Sequence, residues 1–114
     1  RYCSMVVSAE VDPVPVLGLV LLGYPLHAAG RPEKIRDEHF PRITVPTLFV
    51  SGTRDSLASV DGLTASAATI AGAVSWCWLE PADHGFKPLK RSGRTLDDDL
   101  ATAAAATVAF VQSC

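Results

Sequence analysis

Three apolar runs punctuate the chain, each bounded by turn-forming residues. The first, Val16–Leu22, lies between Pro15 and Gly23 and is apolar at every position except Gly18. Seven residues suit a strand better than a helix, and apolar residues at both parities require cover on both faces. Such a strand belongs inside a sheet with a neighbour on each side. The second run, Thr47–Val50, follows Pro46 and stops at Ser51-Gly52. Proline is tolerated at a strand start because its missing N–H falls outside the ladder. The third, Val74–Leu79, sets Val74, Trp76 and Trp78 on one face and Ser75, Cys77 and Leu79 on the other. It reads as a strand near the sheet edge. Strand starts 31 and 27 residues apart (16 to 47, 47 to 74) fit crossover units of ~30 residues. The pattern predicts an α/β fold with a mostly parallel sheet of three strands and flanking helices.

Helical signals lie between and after these runs. Val60–Ala71 is Ala-rich, with apolar positions at Leu63, Ala67 and Ile70, and Gly72 supplies a stop. Pro32–Phe40 is charged and reads as a short helix or loop. Thr95 is an N-cap candidate, and Asp97, Asp98 and Asp99 follow where the helix dipole favours anions. Leu96, Leu100, Ala103, Ala104, Val108 and Val111 form an apolar stripe behind them. At the start, Met5, Val6 and Ala9 share a helical face with no N-cap before them. This reads as a helix entered partway, and the chain as the C-terminal portion of a longer protein, one partial domain over residues 1–114.

Composition narrows the function classes. The chain has 114 residues, 48% of them hydrophobic, which excludes intrinsic disorder. Its ten Lys and Arg face twelve Asp and Glu, and neither side of Pro46 is basic. Phosphate neutralisation, and with it nucleic-acid binding, is not expected. The uncharged stretch from Pro13 to Gly30 is broken by Pro15, Gly18, Gly23, Pro25 and His27, unlike a membrane span. No cationic leader precedes an apolar segment. Cys3, Cys77 and Cys114 are far apart and lack metal-ligand spacing. Free thiols in a reducing, cytoplasmic compartment are the expectation, with no metal and no cofactor.

In open α/β sheets, ligands bind beyond the carboxyl ends of strands. The segments there are Gly23-Tyr24-Pro25-Leu26-His27, Ser51-Gly52-Thr53-Arg54-Asp55 and Glu80-Pro81-Ala82-Asp83-His84-Gly85-Phe86. An Asp after one strand and a His after the next, 29 residues apart (55 to 84), can orient a catalytic imidazole. The carboxylate accepts from one ring nitrogen, fixes the tautomer and stabilises the imidazolium. Plainer readings stand beside this: Asp55 as a turn residue, His84 as a solvated loop residue. Asp83 is assigned to a local turn, because neighbouring side chains diverge. Tyr24 and His27 line a pocket mouth for substrate, or else pack in the core or lie on the surface. His39 is read as a surface residue, and the two tryptophans and Cys77 as core.

These segments resemble the acid and histidine loops of the α/β-hydrolases. The likeness is strongest to the dienelactone-hydrolase-like branch and the small group of predicted hydrolases with a Gly-Tyr-Pro-Leu-His motif, here Gly23–His27. Gly30-Arg31-Pro32-Glu33-Lys34, Glu38-His39 and Val45–Val50 continue the likeness in order. The family's nucleophile is a Ser or Cys in a Gly-x-Ser/Cys-x-Gly elbow. No Ser or Cys here has glycines at that spacing; Cys3 is flanked by Arg1 and Met5, and Ser4 by Tyr2 and Val6. Arg1–Met5 resembles the helix that follows the elbow. The resemblance therefore implies a serine-type hydrolase acting on small-molecule esters or acyl compounds. In it His84 is the base and Asp55 its orienter, and the nucleophile lies upstream of residue 1. This chain alone is then expected to be inactive, and to self-associate through an unpaired strand edge. The alternative is a catalytically silent hydrolase-like domain serving protein interaction.

Overall fold

A computed structural model describes residues 1–114. In chain order the elements are helix α1 (Tyr2–Val7), strand β1 (Leu19–Leu22), a 3-10 turn at Phe40–Arg42, β2 (Thr47–Gly52), α2 (Val60–Ala67), β3 (Val74–Leu79), a 3-10 turn at Lys90–Ser92 and α3 (Leu96–Ser113). The three strands form one all-parallel sheet in the order β1-β2-β3. Leu19 pairs with Thr47, and Thr47 with Val74, so the strands start level and also finish close together. That shared finish sets the loops after the strands side by side.

The sheet separates two cores. Leu19, Leu21 and Phe49 pack with Tyr24, Leu26, Phe40, Ile43, Leu63, Ala67 and Ile70 on the face covered by α1, α2 and the Phe40 turn. Leu48, Val50 and Leu79 pack with Ala82, Phe86 and Ala103 on the face covered by α3. β2 is buried at every position, as a continuous apolar run between two layers must be.

Several expectations are corrected. β1 is shorter than Val16–Leu22, because Pro15 and the Val16–Gly18 segment lie outside the ladder. Within residues 1–114 its one neighbour is β2, which leaves the free edge anticipated for this chain. Leu19 N–H and Gly23 N–H both donate toward β2, so by the two-residue period Val20 and Leu22 turn their backbone groups to the free edge. The apolar stripe of α3 is only partly used. Ala103 is buried, whereas Leu96, Leu100, Val108 and Val111 are exposed, because the stripe flanks the free side of β1 rather than facing the sheet. Of the two readings of Pro32–Phe40, short helix or loop, the loop holds: the segment forms turns, with the 3-10 turn only at its end. Trp76 and Trp78 are half-buried rather than core; they stack at 4.8 Å on the edge strand β3.

The helix start at Thr95 is as expected, with a full capping box: Thr95 Oγ1 accepts from Asp98 N–H, and Asp98 Oδ2 accepts from Thr95 N–H. Those bonds hold the Asp98 carboxyl below its usual pKa. Asp99 is not a plain dipole partner. It is fully buried and pairs with Arg94 at 2.9 Å. No helix is long and apolar enough to cross a membrane.

Candidate active site

The loops after β2 and β3 bring Asp55 and His84 together. His84 Nδ1 lies 2.8 Å from Asp55 Oδ2. The Asp55 side chain has no exposure, while that of His84 is 41% exposed. Asp55 Oδ1 accepts from Leu57 N–H at 2.7 Å, so both carboxylate oxygens have a donor and the group is held as a fixed acceptor. With Nδ1 donating to Asp55, His84 Nε2 is left as the basic nitrogen on the exposed side of the ring.

Backbone detail explains the approach. At Gly52 a Cβ would collide with the carbonyls of Ala82 and Asp83, so only glycine lets the histidine loop cross the end of β2. Thr53 N–H donates to Leu79 O, and Arg54 N–H to Ala82 O, which ties the two loops. Gly23 has φ +65°, and a Cβ there would sit 3.6 Å from His84 Cε1. The loops after β1, β2 and β3 thus converge on one ring. Asp83 does not touch it. Its Oδ1 accepts from Gly85 and Lys87 N–H, both at 3.0 Å, and closes the histidine loop locally.

Tyr24 is 1% exposed and packs against Phe40 and Phe49. Its hydroxyl donates to Arg36 O, and burial pushes its pKa up to about 12. With Arg1, Cys3 and Val20–Leu22 it also lines a cleft of about 250 Å³ at the end of β1. His27 is half-buried, its Nδ1 bonded to Ala28 O at 2.9 Å, and it shares no hydrogen bond with Asp55 or His84. A larger cavity of about 360 Å³, between α2 and Trp76, holds no titratable side chain and opens at Gly72 and Val74, by the amino end of β3. The three cysteines are free. Cys77 is half-buried, and burial followed by the charge of Asp99 raises its pKa.

His39 is not on the surface. It is buried, and its Nε2 lies 2.8 Å from Ser4 Oγ. The sequence reading missed this pair. One available signal was the spacing of Ser4 and Ser8, which places two small polar residues on a helical face that excludes Met5 and Val6. Burial, then the charges of Arg42 and Arg1, lower the pKa of His39.

A family model described as an alpha/beta hydrolase domain matches residues 1–112. The chain belongs to that family, and its parallel sheet with flanking helices agrees with it. No solved structure matches the chain.

Proposed function

We propose that this chain carries the acid and base of a serine-type α/β-hydrolase cleaving small-molecule esters or related acyl compounds, in the dienelactone-hydrolase-like branch. The 2.8 Å bond between buried Asp55 and half-exposed His84 carries the reading. Here 1–114 is the C-terminal portion of the domain, and chain preceding Arg1 supplies the nucleophilic serine. His84 Nε2 takes the proton as the serine oxygen attacks the acyl carbon, then returns it to the leaving alkoxide. In the second half it takes a proton from water and returns it to the serine as the acyl group leaves. Asp55 stays ionised, holds the tautomer and stabilises the imidazolium. The cleft lined by Tyr24 supports an acyl site there, with His27 as a further candidate on the same loop.

The test is turnover of an activated ester by the product of the complete reading frame, with and without His84→Ala and Asp55→Asn. Loss in both variants supports the reading. An undiminished rate in His84→Ala would remove the base role, and no turnover by the unsubstituted protein would leave the silent interaction module. Residues 1–114 alone are expected to show no acyl-enzyme burst. The same reading expects this chain to self-associate through Val20 and Leu22 at the free β1 edge. Light scattering that finds only monomer at every concentration would remove that expectation.

A further inference from the structure

α1 has six residues, too few to hold as a helix on its own, and apolar packing, through Val7 against the sheet core, accounts for only part of its place. Tyr2, Met5 and Val6 are exposed, and Ser4 is its one buried residue. Val14 N–H donates to Val6 O at 3.0 Å, and a polar set from the segment between β1 and β2 fastens the helix further. Ser4 Oγ meets His39 Nε2 at 2.8 Å, and Arg42 Nε donates to Ser8 O at 3.0 Å. Ser8 Oγ in turn donates to Ser4 O at 2.7 Å.

The Ser4 hydroxyl has a second acceptor beside the ring. It has one proton and lies 2.7 Å from Arg1 O, which can only accept it. With His39 in its Nε2–H tautomer, the ring donates to Ser4 Oγ while Ser4 donates to Arg1 O, so that both bonds form at once. The chain from His39 through Ser4 ends on the carbonyl of Arg1, at the point where the helix begins.

We propose that His39 is a positioning residue for the hydrolase reaction. Through Ser4 it pins the first turn of α1, and with it the orientation of the residue that attacks the acyl carbon. This rests on the reading that the nucleophile immediately precedes Arg1. An attacking atom misplaced by about 1 Å can cost about 100-fold in rate, so an anchor at the first turn acts on kcat more than on substrate binding.

Two measurements test it. The first uses residues 1–114 and needs no activity. Met5 and Ser8 amides are bonded inside α1. His39→Leu should bring their hydrogen exchange to the rate of an unfolded peptide, while β2 amides stay protected. His39→Gln, which can place an N–H near Nε2, should restore much of the protection. Retained protection in His39→Leu would overturn the anchor.

The second uses the product of the complete reading frame and an activated ester. His39→Leu should lower kcat about 10- to 100-fold with KM within about threefold. His39→Gln should recover most of the loss. Ser4→Ala, which favours the helix, should reproduce the defect, and the double variant should be no worse than the single ones. Unchanged kcat in His39→Leu and Ser4→Ala, in a protein that His84→Ala inactivates, would overturn this proposal alone. Full activity in His84→Ala would remove the triad reading and this proposal with it. Equal damage from His39→Gln and His39→Leu would also overturn it, since the N–H would then not be what matters.

Discussion

His84 and His39 are both within hydrogen-bond reach of an oxygen side chain, yet they differ in every respect that matters for proton transfer. His84 gives Nδ1 to a buried carboxylate and keeps Nε2 on its exposed side. His39 is buried, pairs with a serine that also has the Arg1 carbonyl within reach, and has no carboxylate partner. Without a carboxylate behind the ring, a Ser–His distance of 2.8 Å does not by itself mark a nucleophile and its base. What separates the two rings is where the second nitrogen points and whether a fixed anion stands behind the first.

The largest expected effect breaks that contrast outright. In the product of the complete reading frame, His84→Ala should lower turnover of an activated ester by roughly 10⁴- to 10⁶-fold; a loss below tenfold would count against the base role. Asp55→Asn should cost somewhat less, about 10⁴-fold, because the amide favours the wrong tautomer and cannot stabilise the imidazolium. Asp83→Asn, one residue from the ring but outside the proton path, should cost less than tenfold on the same assay.

Stability measurements sharpen the contrast further. Gly52→Ala forces a methyl against the carbonyls of Ala82 and Asp83. It should destabilise by about 1–3 kcal/mol, as overpacking does, and loosen the His84 loop while leaving the Ser4–His39 pair intact. Urea unfolding gives the first quantity. Thr95→Ala, far from both histidines, should cost about 1 kcal/mol through the lost cap.

The pH dependence of stability tests the setting of His39. The folded pKa of His39 lies below its ordinary 6.5. The unfolded chain then binds more protons between the two values. Stability from keeping His39 neutral is complete above about 6.5 and is lost as pH falls toward the folded pKa. Thermal melts from pH 7.5 to 5 should therefore show a fall in Tm that is shallower in His39→Gln. An identical slope in both proteins would contradict the assigned cause.

Much of this was legible along the chain. Parallel strands at ~30-residue spacing, and an Asp and a His after consecutive strands, are local signals that the fold only brings together. Val74–Leu79 and the Thr95 cap are found where the pattern put them. What was not legible depends on three-dimensional neighbours. The ends of β1 depend on where Pro15 and Gly18 leave the ladder. The burial of Asp99 depends on Arg94, five residues before it, folding back over the helix start. His39 looked like a surface residue because its run of charges, Arg36 to Arg42, is polar; its partner is 35 residues away in sequence. The tryptophans stack on an edge strand rather than filling a core, which their hydrophobicity alone does not distinguish.

The central claim is that Asp55 holds His84 as the Nδ1–H tautomer with Nε2 free to accept a proton. Nitrogen-15 NMR of the imidazole groups in residues 1–114 measures this directly at a pH where the ring is neutral. The account predicts that His84 carries its proton on Nδ1, slowed in exchange, and that Asp55→Asn abolishes that protection. The same spectra should find His39 protonated on Nε2 in both proteins. A His84 ring protonated on Nε2, or one unaffected by Asp55→Asn, would contradict the account.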